Sequence, residues 1–316
     1  MAIRTAERSN MNATNLSPLV SVCMISYKHE KYIARAIESI LSQELEFPIE
    51  LVIGDDCSPD STFEICSAYA SRDSRIKLLP SSRNLGVMKN FSRTLNACTG
   101  KYVAVCEGDD YWTDMRKLSK QVEFLDNNPE FGGAAHQSNV LIHEKVARVF
   151  REGVPDAIRT DHLLGGRLYH TASILFRRPA VELFVNSPLV LSCDRLLNFC
   201  VSFLGPIHFN KDIMCVYRLH GGGMSSNATI SQMKLDLNCV EYLKSLCPDF
   251  PKYRYLSYVY ATIGLCKQAS NTQKLGYLAL SFLYSFSNFP RNIHFFSIHL
   301  FRALNIKLTG RCGAHR

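Results

Sequence analysis

A chain of 316 residues that is 47% hydrophobic can bury one large core, or a large core with a small appendage, and is too apolar to be a disordered tail. Its 36 Lys and Arg against 28 Asp and Glu leave a net charge of +8, which favours anionic partners such as nucleotide phosphates or an anionic membrane surface. No basic repeat with interleaved aromatics accompanies that charge, so nucleic acid is not an expected partner.

The twelve cysteines form no CxxC pair and no Cys/His cluster at zinc spacing, and several sit inside apolar runs, as free buried thiols do. The stretch from Met1 to Pro18 is polar and lacks the apolar segment of a secretory signal, so residues 1–17 read as a flexible leader. Reduced cysteines without a signal predict a cytoplasmic chain. The two glycosylation sequons, at Asn12 and Asn227, then fall to chance.

Leu19 to Ser26 is a short apolar, β-branched run of the kind that forms a strand buried on both faces. From Glu30 to Leu41, Ile33, Ala36, Ile37, Ile40 and Leu41 recur at helical spacing. Ile49 to Ile53 predicts a second strand, completing a βαβ unit. The alternation continues with a helix at Ser61 to Ser71, a strand at Ile76 to Leu79, a helix at Met88 to Ala97 and a strand at Tyr102 to Cys106. An α/β fold follows, with a mostly parallel, Rossmann-like sheet and helices on both faces.

In such a sheet, ligands bind beyond the carboxyl ends of the strands, where strand order reverses. Polar residues gather at those ends: Ser26 and Tyr27 after the first strand, Asp55 and Asp56 after the second, Asn84 and Gly86 after the third, Asp109 and Asp110 after the fourth. Any one of these is an ordinary turn residue. Their convergence on one edge points to a binding site.

The segments PLVSVCMISYKHEKYIARAIESILSQ, ELVIGDDCSPDST and NLGVMKNFSRTLNACTGKYVAVCEGDDYWTDMRKLSKQVEFLDNNPE resemble the inverting family 2 glycosyltransferases of GT-A fold, nearly without a break from Pro18 to Glu130. Later, SCDRLLNF and YRLHGGGMSS are similar to further motifs of that family. The resemblance implies transfer of a sugar from a nucleotide-diphosphate sugar to a saccharide or lipid-linked saccharide acceptor, with inversion, in the building of cell-surface polysaccharide. It implies that Tyr27, Asp56 and Asp109 hold the donor: Tyr27 packs on the base, Asp56 accepts a ring N–H, and Asp109 faces the ribose; Ser26 and Asn84, at the ends of the first and third strands, are expected to line the same donor site. It further implies that Asp110 binds a divalent metal ion, Mn²⁺ or Mg²⁺, and that Asp194 is the catalytic base. Lys28 stands where the family commonly has Asn, and Met115 where it commonly has Pro, and both changes bear on loop shape.

Elementary chemistry agrees with those roles. A departing diphosphate gains charge that a hard cation on carboxylates neutralises, and an acceptor hydroxyl needs a base. For Asp194 a helix N-cap is the structural alternative, since the apolar run Leu196, Leu197, Phe199 and Cys200 follows it. His220, behind Arg218 and before Gly221–Gly223, is a candidate for metal or phosphate contact. His136 and His170 have no motif around them and stay outside the expected site. A catalytically inactive nucleotide-sugar-binding or scaffold protein of the same fold is the alternative to an enzyme. A dinucleotide oxidoreductase is disfavoured because no G-x-G-x-x-G follows the first strand.

The expected division is a catalytic domain at 18–235 and a helical extension at 236–316. The apolar run from Leu275 to Phe289 is shorter than the roughly 20 residues of a spanning helix. Ile293 to Leu304 mixes aromatic and basic residues, so either a peripheral contact with the inner face of the cytoplasmic membrane or a helical cap on the domain is expected there.

Overall fold

The computed structural model describes residues 17–220 and 228–286. The leader up to residue 16, the run Gly221–Gly223 and the segment Ile293 to Leu304 lie outside the described residues. The N-terminal half alternates as expected: β1 (Val20–Ser26), α1 (Ile33–Leu41), β2 (Ile49–Asp55), α2 (Thr62–Ala70), β3 (Ile76–Leu79), α3 (Val87–Asn96) and β4 (Tyr102–Val105). Two boundaries moved by more than one residue, for local reasons. The His29 carbonyl accepts from the N–H groups of Tyr32 and Ile33, so a tight turn occupies the start of the expected first helix. Strand β2 runs two residues further, because Gly54 and Asp55 pair with Ile25 and Ser26 of β1.

The chain continues through β5 (Tyr111–Trp112), α4 (Lys117–Asn127), β6 (Gly133–Ile142), β7 (Lys145–Val149), β8 (Ala157–Ile158), α5 (Thr160–Leu163), β9 (Leu175–Arg177), α6 (Pro179–Val185), α7 (Cys193–Leu204) and β10 (Ile207–Leu219). Helices α8 (Ile230–Lys234), α9 (Val240–Leu246), α10 (Lys252–Gly264) and α11 (Asn271–Phe286) complete it. None of the helices among the described residues is long and apolar enough to cross a membrane.

The sheet order is β3-β2-β1-β4-β9-β6-β10-β5, with β7 beside β6 and β8 beside β10. The pairs β2/β3, β1/β2, β1/β4 and β6/β10 are parallel, and β9 is inserted antiparallel between β4 and β6. After stepping outward from β1 to β3, the chain returns to place β4 on the other side of β1. The reversal at β1/β4 opens a crevice at their carboxyl ends.

Successive residues of a strand face opposite sides of the sheet. In β1, Val20, Val22 and Met24 join Ile33, Ile37 and Ile40 of α1 in one apolar cluster, while Cys23 joins Phe91 and Leu95 of α3 in the other. That is why β1 reads as an unbroken apolar run: helices cover both faces. The second cluster extends through Phe199 of α7 to Val240, Leu243, Phe250, Tyr255, Val259 and Ile263. The helices after residue 235 therefore share a core with the sheet.

Between β1 and α1, Lys28 adopts a left-handed backbone with φ 61°, and its N–H donates to Ser58 Oγ at 3.1 Å. That conformation costs a side chain with an ordinary Cβ about 1 kcal/mol, and Asn tolerates it better than most residues. Lys28→Asn is expected to raise the melting temperature modestly, by the equivalent of about 0.5 kcal/mol, and Lys28→Val to lower it. Thermal denaturation of the two variants beside the parent checks the sign of each.

Candidate active site at the β1/β4 crevice

On the β2 side of the crevice the polar side chains first build the loops. Ser26 Oγ donates to Asp55 Oδ1 at 3.2 Å, and Ser58 donates its N–H to Asp55 Oδ2 at 2.9 Å. Asp56 is buried, and its Oδ1 and Oδ2 accept from the N–H groups of Leu85 (2.7 Å) and Gly86 (3.0 Å). Asn84 Nδ2 donates to the Asp56 carbonyl at 3.2 Å. Asp56 and Asn84 thus tie the β3–α3 loop to the end of β2. Each oxygen of Asp56 keeps a lone pair for a further donor. Tyr27 remains 39% exposed beside them, with Lys28 Nζ 5.1 Å from its ring centre.

The acidic loop after β4 lies against β1. The Gly108 N–H donates to the Ile25 carbonyl at 3.0 Å. A Cβ on Gly108 would stand 2.6 Å from Ile33 Cδ1 and 2.8 Å from His29 Nδ1, so the close approach requires glycine. Asp109 Oδ2 meets His220 Nε2 at 2.9 Å and His29 Nε2 at 3.7 Å. Asp110 Oδ1 accepts from the Arg218 N–H at 2.9 Å, and Arg218 Nη1 donates to the Asp109 carbonyl at 2.9 Å. The Arg218 guanidinium also lies over the rings of Tyr32 and Tyr111, at 4.9 and 4.7 Å. The carboxyl end of β10 therefore holds the loop through both backbone and side chain.

His170 was expected outside the site, yet its Nε2 stands 3.5 Å from Asp110 Oδ2 and 4.0 Å from Glu107 Oε2. Glu107, Asp110 and His170 form the one group among the described residues whose ligand atoms lie within 4.8 Å of one another. The imidazole is held neutral, pushed down to about 3 by burial and then by the Arg167 charge. Its Nδ1 accepts the Ala172 N–H at 3.2 Å, so in the neutral ring the hydrogen sits on Nε2 and points at the carboxylates. The two carboxylates fit a hard divalent cation. His170 fits as a donor to them.

Burial, then the charges of Asp109 and Asp194, push Glu107 up to about 8, although 28% of its side chain faces solvent. Burial, then Asp109 and Glu107, also push Asp110 well above the carboxylate range. Burial opposes ionisation of Asp109 as well, but the hydrogen bond from His220 and the charge of His29 outweigh it and hold that carboxyl low. His220 is correspondingly raised by its bond to Asp109. As the residues lie here, His220 is the partner of Asp109, and His170 takes the place beside Asp110.

Asp194 lies in the first turn of α7, but it is not the cap. Ser192 holds that position, and Asp236 accepts from the N–H groups of Leu191 and Ser192 at 2.8 and 2.9 Å. Asp194 Oδ1 accepts the neighbouring Arg195 N–H at 2.8 Å, and Oδ2 stands 3.6 Å from Arg167 Nη1. Its charge reaches Glu107 across the crevice. Glu107, His29, His170 and Arg167 were missed as contributors, whereas Arg218 stood in the motif around His220. Of the four missed, Glu107 had a local signal, at the same strand end as Asp109.

Residues 21–182 match the sequence family described as Glycosyl transferase family 2. An uncharacterized protein of Mycobacterium tuberculosis is 34% identical over 227 residues, which cover 68% of this chain, and the chain spans 63% of that relative's length. Among solved structures, S. aureus TarS 1–349 in complex with UDP-GlcNAc superposes with a TM-score of 0.57 at 19% identity, over 87% of this chain and 74% of that one. The mannosyltransferase PcManGT of Pyrobaculum calidifontis, in complex with GDP-Man and Mn²⁺, gives 0.53 at 16% identity, over 92% and 81%. These likenesses show a shared fold, of GT-A type.

Glu107 links the site to stability. Its folded-state proton affinity is raised from the ordinary 4.5 to about 8, so the folded chain keeps a proton that the unfolded chain releases. The stability this contributes is fully present below about 4.5 and is lost as pH rises toward 8. In chelator-treated buffer the melting temperature is expected to fall across that window, and Glu107→Gln, which cannot ionise, to flatten the slope. Melting curves at several pH values on both proteins check this.

Proposed function

The chain belongs to glycosyl transferase family 2, and we propose that it moves a glycosyl residue from a nucleotide-diphosphate sugar to a hydroxyl of a saccharide or lipid-linked saccharide, with inversion at the anomeric carbon. The observation that carries this reading is the pairing of two unlike acidic groups across the β1/β4 crevice. Glu107, Asp109 and Asp110 crowd one side, and Asp194, on a separate helix, is close enough for its charge to act on Glu107.

The donor base lies against Tyr27, with Asp56 accepting a ring N–H and the loop at Asn84 beside it; Ser26 supports this wall through Asp55. Asp109 faces the ribose, and His220, bonded to Asp109, contacts the diphosphate. Asp110 and Glu107 would hold a divalent cation, which supplies the positive charge that a departing diphosphate requires. The His170 Nε2–H steadies the same carboxylates. Asp194 takes the proton from the acceptor hydroxyl on the face opposite the leaving group. Arg167, 3.6 Å away, balances its charge.

A nucleotide-sugar-binding protein without turnover would need none of the Asp194 side of this arrangement. Asp194→Asn is expected to lower transfer about 10²–10⁴-fold while leaving donor affinity and melting temperature unchanged. Turnover with a matched donor and acceptor, beside calorimetry of donor binding, tests it; an Asn variant with more than a tenth of parental turnover overturns the base assignment. Asp110→Asn is expected to remove both the dependence of donor binding on Mn²⁺ and most of the affinity. Equal donor affinity of the parent in chelator and in Mn²⁺ would defeat the metal assignment.

A further inference from the structure

The positive charge of the chain is not spread along it. Nine of the 36 Lys and Arg and none of the 28 Asp and Glu fall in residues 250–316, so the remainder carries a net charge of −1. Helices α10 and α11, which form the described part of that segment, carry Lys252, Arg254 and Lys274 and no acidic residue. Along one side of this helical pair runs a continuous row of side chains, exposed at Tyr253 and half-buried at Tyr260, Tyr277 and Tyr284. Lys234 Nζ stands over the Tyr277 ring at 5.6 Å, and Tyr277 stacks with Tyr260 at 6.3 Å. Tyr260 stacks with Tyr284 at 5.4 Å, Tyr284 with Tyr253 at 6.2 Å, and Lys252 Nζ stands over Tyr253 at 5.3 Å. Four tyrosines from two helices are thus lined up between two lysines. Close by in the fold, Leu275 is 68% exposed and Tyr253 39%.

We propose that this tyrosine row, with Lys234 and Lys252 at its ends, seats the protein on an anionic lipid surface. Tyrosine suits the boundary between hydrocarbon and headgroups because an apolar ring ends in a hydroxyl. Lysine lays its stem along such a surface and raises its charge to the phosphates. An acid-free, basic segment is drawn to a negatively charged leaflet. The geometry also argues against a soluble glycan as the occupant. Sugars stack on open ring faces, whereas these rings lie within 21° of parallel and turn their faces toward each other. The inference goes beyond the transfer chemistry proposed above and uses none of its residues.

The test is sedimentation of the full chain with vesicles of phosphatidylcholine alone and with phosphatidylglycerol added, at low and raised salt. The parent is expected to bind the phosphatidylglycerol vesicles and to release them as salt is raised. Lys234→Gln combined with Lys252→Gln is expected to weaken binding about thirtyfold, a factor of about five for each lysine. Tyr253→Ser combined with Tyr284→Ser is expected to weaken it as well. Donor affinity and melting temperature of the lysine variant should match the parent, which separates failure of this surface from failure of the catalytic reading. Equal binding to both vesicle types, no binding to either, undiminished binding by the lysine variant, or preference for a soluble polysaccharide would each overturn the proposal.

Discussion

Three carboxylates within four residues, at the end of a strand buried on both faces, are the constraint around which the rest of this structure is arranged. Glu107, Asp109 and Asp110 repel one another where water is scarce, and like charges at that range hold protons that free carboxylates would lose. The fold answers with donors brought from distant parts of the chain. His29 comes from the β1–α1 turn, His170 from the segment before β9, and Arg218 and His220 from the end of β10. Asp109 is satisfied in this way and is held ionised. Glu107 and Asp110 share a side-chain hydrogen bond instead, and both are held above the carboxylate range.

Several structural features serve that arrangement. Gly108 lets the acidic loop lie directly on β1, which sets the distance from Asp109 to His29. The short antiparallel pairing of Cys215 and Val216 with Trp112 and Tyr111 brings the end of β10 onto the loop, so that Arg218 donates its backbone to Asp110. The helices after residue 235 contribute too. Asp236 anchors Leu191 and Ser192, and thereby sets the start of α7 and the position of Asp194. Removing that anchor would disturb Asp194 without touching it.

The first half of the fold was legible because its signals are local. Unbroken apolar runs and the 3.6-residue helical period placed β1 to β4 and α1 to α3 within a few residues, and the two boundaries off by more than one residue came from a turn at His29 and from strand pairing at Gly54 and Asp55. The left-handed backbone at Lys28 was not legible, because lysine carries no local preference for that conformation. The region from Asn139 to Leu191 was opaque. It supplies one hairpin, two short strands and brief helical turns, too short for periodicity to register.

By itself the sequence determined which faces of β1 and α1 are buried and which polar residues follow each strand, because each follows from spacing along a few consecutive residues, and the strand–helix alternation put Asp55, Asp56, Asp109 and Asp110 on one edge. Only the tertiary structure decided the partners of those carboxylates. His220 meets Asp109 across 111 residues of chain, and the Arg218 N–H meets Asp110 across 108. It also decided that His170 presents Nε2–H to Asp110, since the tautomer rests on one hydrogen bond from Ala172, and that Asp236, through Leu191 and Ser192, leaves Asp194 free of capping. The physical reason is common to all of these. Charge and hydrogen-bond complementarity depend on distances of three to four ångströms, and no pattern of residue types along a chain encodes distances between segments a hundred residues apart.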